Sequence, residues 1–296
     1  MTDDAGVLSA GSPPSRGLWV DAARRLVRDR GCLVAVNALM LLTALALVGP
    51  LMSPYAYDRL DWQHLATPPF SSGSHWLGTD RLGRDLFVRT LYGLRISLLI
   101  GVVASLVSVV IGVSWGAIAG YAGGRTDELM MRFVDILYSL PYLFVVIILA
   151  TLFARGSLAV LFISIGAVGW LTTARVVRAE TLSLKRREFI DAARATGVDT
   201  IGVLARHIIP NLIGTVAVYA TLSVPQMILF ESFLSFLGLG VQEPLASLGS
   251  LVNDGALEMQ SAPWMLLVPA TCLVLVLLCL NVVGDGLRDA LDPRER

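Results

Sequence analysis

The sequence predicts an all-α integral membrane protein with six transmembrane helices, and three observations carry that prediction. Of its 296 residues, 55% are hydrophobic and 16% charged, more apolar material than a single soluble core takes up. That material gathers into stretches of about 20 residues, the length a helix rising 1.5 Å per residue needs to cross a hydrocarbon layer roughly 30 Å thick. The basic residues are also shared unequally among the segments that join these stretches. Because the formal net charge is zero, only the placement of charge is informative, and nothing points to a nucleic-acid partner.

Residues 1–31 read as an N-terminal tail and interfacial helix. Residues 1–15 have the polar, Gly- and Pro-containing composition of a disordered segment. Over 18–30, Trp19, Leu26 and Val27 oppose Arg24, Arg25 and Arg28, as in a helix lying at a lipid surface. Residues 32–51 form the first span. The competing reading is a cleaved leader, with Arg24-Arg25 as a twin-arginine start and Ala44-Leu45-Ala46 as a processing site; the apolar run exceeds the usual length of about 7 to 15 residues. Residues 52–95, rich in Pro, aromatic and charged side chains, form a soluble loop. A five-helix core follows over 96–287, with spans at 96–120, 133–153, 158–174, 212–236 and 264–283, and a tail at 288–296. The span 158–174 is short. Its Gly166 and Gly169 suit close helix packing better than a gate. Pro141 and Pro225 interrupt spans, as kinks or as hinges.

Taking the joining segments alternately, one side holds 17 of the 23 basic residues, including all those from Arg16 to Arg30 and the seven between Arg175 and Arg206. Positive charge marks the cytoplasmic side, so both termini are predicted there and 52–95 outside. Cys32, Cys272 and Cys279 fall in apolar runs; the last two, seven residues apart on one helix, stand about 10 Å apart by rise, too far to bridge. With His64, His75 and His207 scattered, no zinc-ligand spacing occurs and no metal site is predicted.

The segment 181–211, between the fourth and fifth spans, is longer than a simple helix connection and strongly basic. Residues 182–196 favour helix, Gly197 can end it in a left-handed conformation, and Asp199 can cap a second helix running to Ile209. Pro210 suits the start of the next helix. The result is helix, sharp turn and helix beneath the membrane. Ala192, Ala193 and Ala195 keep its surface low for a close partner, and Arg186, Arg187 and Arg194 suit an acidic partner or lipid headgroups.

This loop resembles the signature of the inner-membrane permeases of ATP-binding cassette importers: Glu-Ala-Ala, three residues, Gly, nine residues, Ile, one residue, Leu-Pro. Ala192, Ala193, Gly197 and Pro210 match in register, while Asp191, His207 and Ile209 replace Glu, Ile and Leu. The stretches HWLGTDRLGRDLFVRTLYGLRISL (75–98), ESFLSFLGLGVQEP (231–244) and GDGLRDALDP (284–293) resemble the dipeptide, oligopeptide and nickel permease group, specifically the second permease of its pair. The resemblance implies a MetI-like type I importer fold and a coupling helix, Glu188, Asp191, Ala192, Ala193, Gly197 and Pro210, docking on an ATPase subunit. It further implies a second permease, two ATP-binding subunits that hold ATP and Mg, and an extracytoplasmic solute-binding protein that delivers cargo around 52–95 and 237–263. Peptides are favoured over nickel because no His or Cys cluster is visible.

Three other groups stand out. Gly78-Thr79-Asp80 and Gly83-Arg84-Asp85 read either as tight polar turns, with Asp80 and Asp85 capping or pairing with Arg81 and Arg84, or as substrate contacts. Glu231, in an apolar run, either lines a pathway with Gln242 at the outer gate or pairs with another polar group. Asp135 and Asp285, near span ends, fit snorkelling or helix-end effects. The only lysine, Lys185, lacks the Gly-Lys-Ser/Thr context of a phosphate-binding loop, so ATP hydrolysis is not expected of this chain. The spans hold no His, which argues against an intramembrane hydrolase, and Asp135 and Glu231 sit too near span ends for a proton- or sodium-coupled carrier.

Overall fold

The computed structural model describes residues 24–71, 73, 75–152 and 158–291. The predicted disordered tail, the first part of the interfacial helix, the end of the 133–153 span and Pro293 lie outside them; within them, residues 24–28 are helical. Nine helices follow among the described residues: α1 (Arg30–Met52), α2 (Leu86–Ala122), α3 (Gly124–Ser139), α4 (Tyr142–Leu152), α5 (Leu158–Leu184), α6 (Glu188–Ala195), α7 (Thr200–Phe236), α8 (Leu248–Leu257) and α9 (Trp264–Leu291). Five of them, α1, α2, α5, α7 and α9, are long and apolar enough to cross a membrane. The chain is an all-helical membrane protein.

Three boundaries differ from the sequence reading. α2 begins at Leu86 rather than 96, because Asp85 caps it by accepting from the Val88 N–H at 2.9 Å. It therefore runs 37 residues, about 55 Å at the α-helical rise, and takes Arg89 and Arg95 out of the predicted loop. The short span 158–174 belongs to the 27-residue α5, which continues through Arg175 and Arg178 to Leu184. The 133–153 stretch is divided. Leu140, held extended (φ −77°, ψ 138°) ahead of Pro141, separates the amphipathic 16-residue α3 from the apolar 11-residue α4.

Helix directions follow from the packing. Gly166 of α5 sits against Ala104 and Val107 of α2, and Gly112, Gly116 and Gly120 of α2 meet successively Trp170/Thr173, Ala174/Val177 and Arg178/Thr181. The contacts advance together along both helices, so α2 and α5 run parallel. A Cβ on Gly116 would strike the Ala174 carbonyl oxygen, and glycine is what lets the backbones approach this closely. Gly169 is similarly closed by Met227 and Ser108, so both glycines of this segment serve packing.

Because α2 and α5 are parallel, the chain between them must return the length of the bundle. α3 and α4 together rise about 40 Å, and Val146 of α4 is buried against Ile100, Ala104, Leu161 and Ile165. α7 is antiparallel to α2, with Ser97 beside Glu231, Gly101 beside Ile228 and Ser105 beside Ala220. α9 closes the bundle against α7 at Gly284–Leu222 and against α1 at Gly286–Cys32. The bundle thus has two polar ends, one at Asp85 and one at Tyr121, joined by α2.

Replacing Gly116 with Leu should overpack the α2–α5 seam by about 1–3 kcal/mol and lower the thermal unfolding midpoint in detergent; an unchanged midpoint would contradict the close approach.

Candidate functional site

At the Tyr121 end, α5 ends at Leu184 and residues 185–187 turn the chain into α6. Ile190 and Ala193 point inward, and Ile190 is fully buried with Val203, Ile208, Leu212, Ala117 and Val177. This apolar footing fixes α6 to the ends of α2, α5 and α7. Tyr121 supplies the polar anchor, a residue the sequence reading passed over: its carbonyl accepts from Lys185 Nζ at 2.5 Å and its hydroxyl from Arg194 Nε at 3.3 Å. Both cations also face its ring, at 5.4 and 5.2 Å from the centroid. Its position at the end of an apolar helix was the only available signal.

α6 ends in a Schellman arrangement, with Gly197 N–H donating to Arg194 O at 3.0 Å and Val198 N–H to Ala193 O at 3.1 Å. Gly197 takes φ +85°, as anticipated, and a Cβ there would meet nothing within 4 Å. Asp199 caps α7 by accepting from Gly202 N–H at 3.1 Å. Pro210 sits in the first turn of the α-helical stretch Ile209–Phe236, as anticipated. Within α7, a π-turn at Leu204–Ile208, in which Ile209 N–H donates to Leu204 O, joins that stretch to Thr200–Val203 just before the proline. The outer face carries Glu188, Phe189, Asp191, Ala192 and, beyond the turn, Ile201, which is 74% exposed. Of the predicted contact residues Ala193 faces inward, 8% exposed, and Pro210 lies beyond the turn.

At the opposite end the two glycine motifs build one polar knot. Asp80 Oδ1 accepts from the Leu82 and Arg84 N–H groups at 2.9 Å each, and Oδ2 pairs with Arg84 Nε at 2.6 Å and Arg89 Nε at 3.4 Å. Thr79 ties the loop across itself, its hydroxyl donating to His64 O at 2.5 Å and accepting from Thr67 N–H at 2.9 Å. Gly78 and Gly83 both have φ +78°, and a Cβ on either would strike backbone, of Thr67 and of Asp61 respectively. Asp85 pairs not with an arginine but with His75, whose Nδ1 lies 2.8 Å from Oδ2. Arg81 is exposed. The two motifs form tight, largely buried polar turns.

The knot reaches the α7–α8 connection. Arg84 Nη2 donates to Glu243 Oε1 at 2.9 Å. Burial opposes the Arg84 charge, but Asp80 and Glu243 outweigh it and hold the guanidinium above its ordinary pKa. The Arg84 hydrogen bond holds the Glu243 carboxyl below its usual range. Burial pushes the Asp254 carboxyl up against the pull of Arg89. Gln242 is exposed, its amide donating to Gly238 O and Gly240 O at 3.2 Å, so it braces a turn.

Glu231 is fully buried. It accepts from Ser97 Oγ at 2.9 Å and Ser235 Oγ at 2.6 Å, while Ser97 Oγ also accepts from Leu248 N–H at the start of α8. Ser247 caps α8 in a reciprocal capping box with Ser250. The Glu231–Ser97 contact joins α2, α7 and, through the Leu248 N–H, α8. A separate cavity of ≈ 340 Å³ opens beside the α3–α4 break, lined among others by Tyr138, Thr172, Tyr219, Gln226 and Phe230. Near it Asp135 pairs with Arg175 at 2.7 Å, and Asp127 holds Arg178 at 2.5 and 2.7 Å.

The histidines are less scattered than their spacing suggests. Folding brings His64 and His75 together with Asp61, one ligand atom of each lying within 4.8 Å of the others.

Comparison with solved structures places the fold. A chain of the MetNI methionine ABC transporter, in an inward-facing conformation, shares this fold with a TM-score of 0.57 at 17% identity, over 70% of this chain and 96% of that one. Residues 112–296 match the family described as binding-protein-dependent transport system inner membrane component, and residues 17–69 the N-terminal TM domain of oligopeptide transport permease C. The chain belongs to this family of binding-protein-dependent permeases. It is 51% identical to the oligopeptide transport system permease protein OppC of Haemophilus influenzae over 95% of this chain and 90% of that protein. Identity to the Escherichia coli K12 protein of the same name is 52%, covering 95% and 93%, and to the dipeptide transport system permease protein DppC of Bacillus subtilis 44%, covering 96% and 88%. The chain is thus the permease component of an ATP-driven importer of the bacterial inner membrane; it is not an enzyme, and the permease family binds no cofactor for catalysis.

Glu231→Ala strips the acceptor from two buried hydroxyls and should cost about 1–3 kcal/mol, read as a lower unfolding midpoint, whereas Glu231→Gln should lose less. A lowered carboxylate pKa contributes stability above the unfolded value of about 4.3 that disappears as pH falls through the folded one. The midpoint difference between the parent chain and Glu243→Gln should therefore be largest near pH 7 and shrink towards pH 3; a constant difference would show that the Arg84 pair is not its source.

Proposed function

We propose that this chain forms, with a second permease, the pathway of an oligopeptide importer, and that α6 is where an ATPase subunit drives it. The observation that carries the proposal is the construction of α6. An eight-residue helix stands on a buried Ile190 footing between the ends of α5 and α7, while Glu188, Phe189, Asp191 and Ala192 face outward. A load on that face is transmitted directly to two spanning helices. The oligopeptide and dipeptide systems named for the similar proteins support a peptide cargo.

In this proposal α3 and α4 together make the remaining crossing, six in all, of the MetI-like type I arrangement, and both termini share the cytoplasmic side with α6. The parallel course of α2 and α5 and the excess of basic residues on that side support this. The cavity beside Tyr138 and Phe230 faces the pathway, and Glu231 and Gln242 act as internal braces. Two ATP-binding subunits, holding ATP and Mg, dock below; a solute-binding protein docks on the Asp85 end.

Gly197→Trp should abolish peptide uptake and peptide-stimulated ATP hydrolysis while leaving insertion unchanged; a Cβ there meets nothing within 4 Å, and the strain of a side chain at φ +85° is shared by the Asn control. Gly197→Asn, tolerated in the left-handed region, should retain uptake. Normal uptake by the Trp variant, or labelling of a cysteine at Ala192 by an impermeant reagent in intact cells, would overturn the assignment.

A further inference from the structure

We propose that Asp61, His64 and His75 bind one divalent cation of the zinc class, which pins the segment 52–85 to the start of α2. Imidazole and carboxylate donors suit such a cation, whose bonds of about 2.0–2.1 Å place tetrahedral ligands roughly 3.3 Å apart. Asp61 Oδ2 lies 3.0 Å from His64 Nδ1 and 3.7 Å from His75 Nε2, bracketing that separation.

Two of the three donors are held from behind. Asp61 Oδ1 accepts from the Gln63 N–H at 3.0 Å, which turns Oδ2 towards the two imidazoles. His75, 1% exposed, is fixed by Tyr55, its ring centroid 4.4 Å away, and by Asp85. The Asp85 carboxylate at 2.8 Å places the His75 proton on Nδ1 and leaves the Nε2 lone pair for a metal, the usual carboxylate–histidine–metal arrangement. Gly83 lets the Asp61 backbone sit against the turn that leads to Asp85. The Arg84 and Arg89 charges are directed at Asp80 rather than at the cluster.

The side chains of Asp61 and His64 remain 33% and 35% exposed, giving the ion a route in and a fourth position for water. A motif that belongs to the start of a spanning helix thereby acquires a second task. Asp85 is at once the cap of α2 and the residue that positions a metal ligand.

The test uses the chain purified with its partner subunits and without a polyhistidine tag. Titration with Co2+ should give one bound ion per chain with the visible absorption of a tetrahedral nitrogen–oxygen site, displaced by stoichiometric Zn2+. His64→Gln and Asp61→Asn should abolish that absorption, and Asp85→Asn should weaken affinity about 10- to 100-fold. His207→Gln, at the third histidine, should leave it unchanged. Size-exclusion profiles matching the parent assembly show that the variants remain folded. The proposal is overturned if no tetrahedral spectrum develops, or if it survives His64→Gln in a monodisperse sample.

Discussion

The 37-residue α2 joins the two polar ends of the molecule, and its parallel contact with α5 determines how the rest is arranged. Gly112, Gly116 and Gly120 remove the side chains that would otherwise separate the helices, so the backbone of one packs on the other over three turns. Lipid offers no hydrophobic drive for one apolar helix to prefer another, so shape and buried polar contacts must decide. Once α2 and α5 are parallel, α3 and α4 have to carry the chain back, and α7 fills the antiparallel position beside α2.

Buried polar groups then fix each end. Asp80, Arg84 and Arg89 lie together, almost wholly out of solvent, and Glu231 satisfies serines on two helices. Such groups are costly to desolvate and are weak sources of net stability. What they provide is uniqueness: each finds its partners only when α2, α7 and the turns at Gly78 and Gly83 are in register. The same precision brings two histidines and an aspartate to one point.

The Tyr121 end is built by a different rule. An apolar footing and backbone caps hold α6 while its outer face stays bare, with phenylalanine, isoleucine and acidic groups outward. The turn at Gly197 and the π-turn before Pro210 are local solutions to chain geometry. Together they allow one continuous covalent path from α5 through the ledge into α7, which is what a mechanical coupling requires.

Local chemistry was legible in the sequence because it depends on near neighbours: the apolar runs, the Gly197 C-terminal turn, the Asp199 cap, the tight turns at Gly78 and Gly83, and the register of the α6 motif. The early start of α2 was harder to see, since Arg89 and Arg95 look like loop residues until Asp80 and the Tyr57 carbonyl bury the first of them. Pro210 was legible as a helix start, whereas the π-turn that joins Ile209–Phe236 to Thr200–Val203 was not. The sequence by itself determined that the chain lives in a membrane and carries a permease ledge. Only the tertiary structure decided that α2 and α5 run parallel, that Tyr121 anchors the ledge, that Glu231 is a brace and that His64 meets His75. Those facts depend on contacts between residues far apart in the chain, which no local pattern encodes.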